Sequence, residues 1–192
     1  KQSGCHGIGL GIETGSEILR SVVLHKFATN KTIKGIVNTL NKYGYRSTAN
    51  IMLGFPGETI ADIRDTVEFV RDLEVEVWNA KFLSPYYATP IHTITASLGY
   101  IDVWKNKPGF NGLAKQIGLG RVEGPSIKIP TITRPALMDA YKNFSNYVLG
   151  NKPFPSIPTS ALSKDNIAAN LYNTYNYYLE NKYEININYK AL

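Results

Sequence analysis

The chain has 192 residues, 43% hydrophobic and 19% charged, an ordinary globular balance with enough length for one domain and a sizeable core. Its net charge of +6 comes from 21 Lys and Arg that are scattered without a stripe or block, so the basic balance marks no clear nucleic-acid site. No run approaches the ~20 apolar residues of a membrane span, residues 1–17 lack the apolar block of a secretory leader, and the single Cys5 excludes an internal disulfide or a multi-Cys metal site and fits a cytoplasmic setting.

Residues 8–13, Ile-Gly-Leu-Gly-Ile-Glu, alternate as a strand does, with glycines that suggest close backbone approach. Ser16 is placed to cap a helix from Glu17 to about His25. Thr29 or Asn30 caps a second, in which Ile33, Ile36, Val37 and Leu40 recur at helical spacing before Gly44 stops it. Ser47 to Phe55 is the next strand, followed by Gly54-Phe55-Pro56-Gly57-Glu58-Thr59 as a tight turn. Ile60, Ile63, Val67, Val70 and Leu73 line a helix from about Thr59 to Leu73, with Asp62 and Asp65 near its positive end. Glu76 to Leu83 is a third strand, ending at Ser84-Pro85-Tyr86-Tyr87. Pro90 to Leu98 reads as a short helix ending at Gly99, and 105–135 as loop. Pro135 to Leu149 is a helix with Pro in its first turn and Gly150 after it. Pro153, Pro155 and Pro158 form a linker to a last helix from Ser160 or Ser163 to about Tyr183.

Strand, helices, strand, helix, strand is the order of an α/β protein with parallel pairing and right-handed crossovers. Three strands cannot close a barrel, and a bare three-stranded parallel sheet leaves exposed edges. The chain opens almost directly into a strand without an initiator Met, so the expectation is a piece of something longer, whose missing part completes the sheet.

In parallel α/β folds ligands bind at the carboxyl ends of strands, which directs attention to three tips. Glu13 ends the first strand. A carboxylate there can accept two hydrogen bonds from vicinal hydroxyls or an ammonium, or it can simply cap the following helix. Gly54 and Gly57 allow close backbone approach to a flat ligand and Pro56 stiffens the turn, whose main chain can read an adenine edge; the plain alternative is a well-made strand-to-helix turn with Glu58 in the first helical turn. Asn50 either faces a lumen and a ligand hydroxyl or bonds a neighbouring strand. Ser84 and Tyr86 follow the third strand, and Tyr86 and Tyr87 suit a core or rim position as well as a site. Arg20 and Lys26 are candidates for a ligand carboxylate, Lys26 more naturally for solvent. His6, His25 and His92 lack ligand spacing.

Taken together, Gly11-Ile12-Glu13-Thr14-Gly15-Ser16-Glu17, His25-Lys26-Phe27-Ala28-Thr29, Gly44, Gly54-Phe55-Pro56-Gly57-Glu58-Thr59 and Ser84-Pro85-Tyr86-Tyr87-Ala88-Thr89-Pro90 resemble, in order and spacing, the second half of a radical S-adenosylmethionine core. The nearest subgroup is the cobalamin-associated one. The resemblance runs from about Gly4 to Tyr100 and more loosely from Glu123 to Tyr147. It implies the carboxyl-terminal half of a partial (βα)6 TIM-like barrel over 1–100, a loop-rich segment and helix over 101–152, and a linker with terminal helix over 153–192. It further implies reductive cleavage of S-adenosylmethionine at a 4Fe–4S cluster, with hydrogen abstraction or radical methyl or methylthio transfer on an unknown substrate, and it leaves room for cobalamin. By this resemblance Glu13, Thr14, Ser16, Asn50, Leu53, Gly54, Phe55, Pro56, Gly57, Glu58 and Ser84 seat the cofactor, while Tyr86 and Tyr87 face substrate. The sequence departs from the family in two ways. Glu58 lies four residues after Gly54 where the usual motif has three, and the Cys-x3-Cys-x2-Cys loop that binds the cluster is absent, so its ligands are expected upstream. The partner implied is the missing amino-terminal half of the same protein. The competing reading is a non-catalytic remnant that binds a nucleotide-like ligand or a partner chain through its open sheet edge.

Overall fold

The structure, a computed structural model, describes residues 4–86, 89–101, 125 and 127–157. Three strands, β1 (Gly7–Glu13), β2 (Arg46–Leu53) and β3 (Val77–Phe82), form one parallel sheet in the order β1-β2-β3. Helices α1 (Glu17–Val22) and α2 (Asn30–Lys42) connect the first pair, and α3 (Ile60–Asp72) the second. Then come α4 (Pro90–Ser97) and α5 (Arg134–Val148). This is the parallel α/β arrangement that the element order leads one to expect, and it is consistent with the partial TIM-like fold that the resemblance implies. The expected final helix from Ser160 or Ser163, most of the 105–135 loop, and Tyr87 lie outside the described residues.

Strand alternation sorts the sheet into two unlike faces. Ser47, Ala49, Ile51 and Leu53 of β2 point to one side and are buried. Ala49, Ile51 and Leu53 share a core with Leu19 of α1, Val37 of α2, Ile63 of α3, and Leu137 and Phe144 of α5. On the other side Arg46, Asn50, Val77, Asn79 and Lys81 are exposed, with Thr48 and Met52 half-buried. Among the described residues the helices therefore cover one face and leave the other open, as in a slice cut from a barrel wall.

Each helix starts where the sequence supplies a cap. Ser16, Thr29, Thr59, Thr89 and Thr133 each accept a hydrogen bond from a first-turn amide. At α3 the cap is reciprocal: Asp62 N–H donates to Thr59 Oγ1 at 3.2 Å and Thr59 N–H donates to Asp62 Oδ2 at 2.9 Å.

Two element ends differ from expectation. The first helix stops at Val22 rather than near His25, because Lys26 N–H turns back to Arg20 O at 3.0 Å and His25 takes a positive φ of 52°. The second strand stops at Leu53 rather than Phe55, because Gly54 adopts φ 92°, which breaks the extended run.

Candidate functional site at the strand tips

The three tips lie side by side. β1 and β2 pair from Gly7↔Arg46 to Gly11↔Asn50, a bulge follows, and Glu13 then stands opposite Ile51. β2 and β3 pair through Asn50↔Asn79, Met52↔Lys81 and Leu53↔Phe82, and Leu83 N–H extends the ladder to Leu53 O at 2.8 Å. Residues paired in a parallel sheet share a face, so Gly11, Asn50 and Asn79 form one row on the open side, with Met52 and Lys81 in the row above.

The bulge places Glu13 over that open side. A β-carbon built on Gly11 would lie 2.7 Å from Glu13 Oε1 and 3.3 Å from Lys26 Nζ, so both charged groups occupy the space that glycine leaves free. They form an ion pair of 2.6 Å in which the Glu13 side chain is 13% exposed and that of Lys26 47%. Glu13 itself has φ 69°, a conformation that costs a non-glycine residue about 1–2 kcal/mol. Such backbone strain clusters at functional sites, although His25 and Glu74 adopt positive φ in this chain as well. Beside it, Asn50 Nδ2 lies 3.6 Å from the β-carbon position of Gly9. The amide thus leans over the glycine strip of β1.

Below this face the β1 tip is bolted down. Thr14 is fully buried, and its hydroxyl shares a 3.2 Å hydrogen bond with Thr66 of α3 while accepting from Ser16 N–H at 3.1 Å. Gly15 N–H donates to Thr66 Oγ1 at 2.8 Å, and its Cα sits so close to α3 that a β-carbon would meet Thr66 Cα at 2.7 Å and Asp65 O at 2.8 Å. Ser16 caps α1. Thr14 and Ser16 are thus engaged with the fold. Arg20 requires a correction. Rather than reaching a ligand carboxylate, it is 1% exposed and donates to Ile12 O at 3.3 Å, to Ala28 O at 2.8 Å, to Asn30 Oδ1 at 2.7 Å and to Thr14 O. A guanidinium has a fixed fork of donors, and here carbonyls of the β1 tip and its loop consume it. Burial pulls its pKa down, partly offset by Glu17.

The turn after β2 is enclosed. Residues 53–59 are all buried, with Leu53, Phe55 and Glu58 at 0% exposure. Leu53 and Phe55 belong to the helix-side core, so an apolar contact at this tip falls to Met52, on the open face. Counting two residues from Asn50 along the strand is the signal that finds it. Glu58 staples the turn from inside: Gly54 N–H donates to its Oε2 at 2.5 Å and Phe55 N–H at 3.2 Å. Its Oε1 is buried and, among the described residues, has no hydrogen-bond partner. Burial pushes the carboxyl up to about 8, against the lowering by the two amides and with a further rise from Asp62. Positive φ at Gly54 (92°) and Gly57 (76°) closes the loop. Pro56 is buried within it. Leu137 of α5 lies 3.5 Å from the β-carbon position of Gly54, and Thr131 Oγ1 donates to Glu58 O.

After β3, Ser84 is half-buried and Tyr86 is 50% exposed. Of the residues singled out by sequence, then, the open side receives the side chains of Glu13 and Asn50, joined by Lys26. The 54–58 turn is brought to the same edge with its side chains turned inward. His92 is buried in α4, its pKa lowered by burial, and with the exposed His6 and His25 it makes no cluster. Among the described residues no three His, Cys, Asp or Glu stand together as metal ligands.

Residues 1–70 match the sequence model of the Radical SAM superfamily. An uncharacterized methyltransferase of Pyrococcus horikoshii is 27% identical over 89 residues, which is 46% of this chain and 19% of that protein. The chain thus spans about a fifth of the length of this curated relative. The resemblance to the radical S-adenosylmethionine superfamily holds over residues 1–70. Neither match distinguishes the cobalamin-associated subgroup.

Proposed function

We propose that this chain, which carries radical S-adenosylmethionine sequence over residues 1–70, supplies part of the cofactor-binding face of a radical enzyme whose remaining barrel wall comes from the rest of the same protein. The observation that carries the reading is the glycine-floored open face at the tips. Gly9 and Gly11 remove side chains from β1, and the Glu13 carboxylate is laid over the space so formed. A carboxylate in that position accepts hydrogen bonds from ribose hydroxyls or from the amino group of S-adenosylmethionine. Asn50 offers a donor and an acceptor one strand away, and Met52 an apolar contact for the base. The buried 54–58 turn holds the β2 tip in place, and Ser84 and Tyr86 border the β3 side. When bound, S-adenosylmethionine supplies either a deoxyadenosyl radical or a methyl group. The name of the Pyrococcus relative favours methyl transfer as the reaction class.

The residues present do not fit a 4Fe–4S cluster. Such clusters need several thiolates, and the whole sequence has one Cys. The cluster ligands in this proposal therefore lie outside the chain, as does any cobalamin site. That same deficit is the observation that favours the second reading, a binding remnant without catalysis.

The test is S-adenosylmethionine binding by the anaerobically reconstituted full-length protein, with Gly11→Ala as the variant. The added methyl pushes only against flexible ends, Glu13 Oε1 and Lys26 Nζ, so folding is expected to survive while affinity falls about tenfold or more. Wild-type protein that forms a cluster yet neither binds nor cleaves the cofactor overturns the proposal. Binding without cluster absorbance or cleavage selects the second reading.

A further inference from the structure

The row of residues contributed by β3 has no place in the cofactor reading, and its chemistry differs from that of β1. Register puts Asn79 beside Asn50, and Lys81 beside Met52 in the row nearest the tips, all on the open face. Both β3 residues are exposed. The other charges of this face are matched: Lys26 pairs with Glu13 at 2.6 Å and Arg46 with Glu76 at 2.7 Å. Lys81 stands in no ion pair among the described residues. The β2 and β3 rows of the open face, from Thr48 to Met52 and from Val77 to Lys81, contain no acid. An ammonium without an ion pair among the described residues, with an amide one row beneath it, is complementary to an oxyanion.

Position separates this spot from the β1 part of the cofactor seat, while Asn50 and Met52, which the proposed seat also uses, lie one strand, ~4.8 Å, away. The glycine strip, over which Glu13, Lys26 and Asn50 lie, is on β1, two strands from β3. At ~4.8 Å per strand that is about 10 Å. A ligand seated over Gly9 and Gly11 against Glu13 leaves the Asn79–Lys81 row for a second molecule.

We infer that Asn79 and Lys81 hold an anionic group, carboxylate or phosphate, of the substrate. This rests on the reading of the open face as an active-site wall. Asn79 donates through its amide and Lys81 through its ammonium, so the pair orients one end of the substrate while its other end points toward β1. The pair positions and selects substrate.

The experiment uses the full-length protein and two probes, inorganic phosphate followed by 31P line broadening and 13C-labelled acetate followed by 13C line broadening. The variants are Lys81→Met, Lys81→Arg, Asn79→Ala and, as a control on the solvent side of α2, Lys34→Met. S-adenosylmethionine affinity is measured on the same samples. Lys81→Met is expected to weaken probe binding about tenfold, Asn79→Ala to weaken it less, and Lys81→Arg and Lys34→Met to leave it unchanged. Cofactor affinity stays the same throughout. The probe that broadens more names the anion class. Equal broadening in wild type and Lys81→Met overturns the inference, as does a loss in Lys81→Arg equal to that in Lys81→Met. So does a loss of cofactor affinity in Lys81→Met, which would assign Lys81 to the cofactor. If wild type fails to bind the cofactor, the proposed function falls, while the phosphate and acetate comparison still decides whether Lys81 is an anion site.

Discussion

Replacing Glu58 by Gln should remove a pH-dependent loss of stability, so that the variant is the less stable protein in acid and the more stable one in base. In the folded chain Glu58 keeps its proton up to about pH 8, whereas an ordinary glutamate loses it near 4.5. Between those values the folded state holds more protons than the unfolded one, so stability falls as pH rises. The contribution is fully present below about 4.5 and gone above about 8. At ~1.4 kcal/mol per pH unit the loss across this window is about 5 kcal/mol, a large share of a typical domain's stability. Glu58 is fully buried, so solvent screening does not soften it. The substituted carboxamide keeps an oxygen for the Gly54 and Phe55 amides but places an NH2 where Oε1 has no partner among the described residues. That costs about 1–3 kcal/mol at every pH. Glu58→Gln should therefore be less stable than wild type at pH 5 by about 0–2 kcal/mol and more stable at pH 9 by about 2–4 kcal/mol, the two curves crossing in between. Urea unfolding at pH 5, 7 and 9, followed by tryptophan fluorescence, measures the difference directly. Contributions from other titrating groups cancel between the two proteins. A difference that stays constant from pH 5 to pH 9 would refute the account of Glu58 as a proton-holding staple.

Gly15→Ala should destabilise the protein by about 3–5 kcal/mol in urea unfolding, because its β-carbon meets main-chain atoms of Asp65 and Thr66 that cannot swing aside and the Gly15–Thr66 hydrogen bond must open. Glu13→Gly should move oppositely on two readouts. Relief of the positive φ raises stability by about 1 kcal/mol, while S-adenosylmethionine affinity falls at least tenfold; a variant that loses stability and keeps affinity contradicts the site. Arg20→Lys should cost about 2–4 kcal/mol although the charge is kept, since one ammonium cannot reach Ile12, Thr14, Ala28 and Asn30 together. Thermal unfolding reads this, and a change under about 0.5 kcal/mol would show those bonds to be immaterial.

Much of the backbone is legible in the sequence because its signals are local. Caps at Ser16 and Thr29, the glycine stops at Gly44 and Gly150, and the apolar spacing of α2 and α3 involve residues a few positions apart, so propensity and periodicity read them directly. The short first helix escapes such a reading for the opposite reason. What ends it is the return of Lys26 N–H to Arg20 O, in a loop whose Ala28, Thr14 and Asn30 are tied to the Arg20 guanidinium by contacts across 6–10 residues of sequence that leave no periodic mark.

The candidate site divides along the same line. Glycines alternating before a terminal acid, and a Gly-Phe-Pro-Gly-Glu-Thr turn after an apolar strand, mark two tips from the chain alone. Such residue types are chosen by what the backbone must do locally. Which side each side chain takes was decided by pairing and packing. A one-residue bulge opposite Ile51 throws Glu13 over Gly11, the strand register lines up Asn50 with Asn79 and Met52 with Lys81, and α5 with Thr131 closes over the 54–58 turn, sending Glu58 inward. Direction along a strand flips with every residue, so only the assembled sheet could tell the Glu13 carboxylate on the open face from the buried one of Glu58.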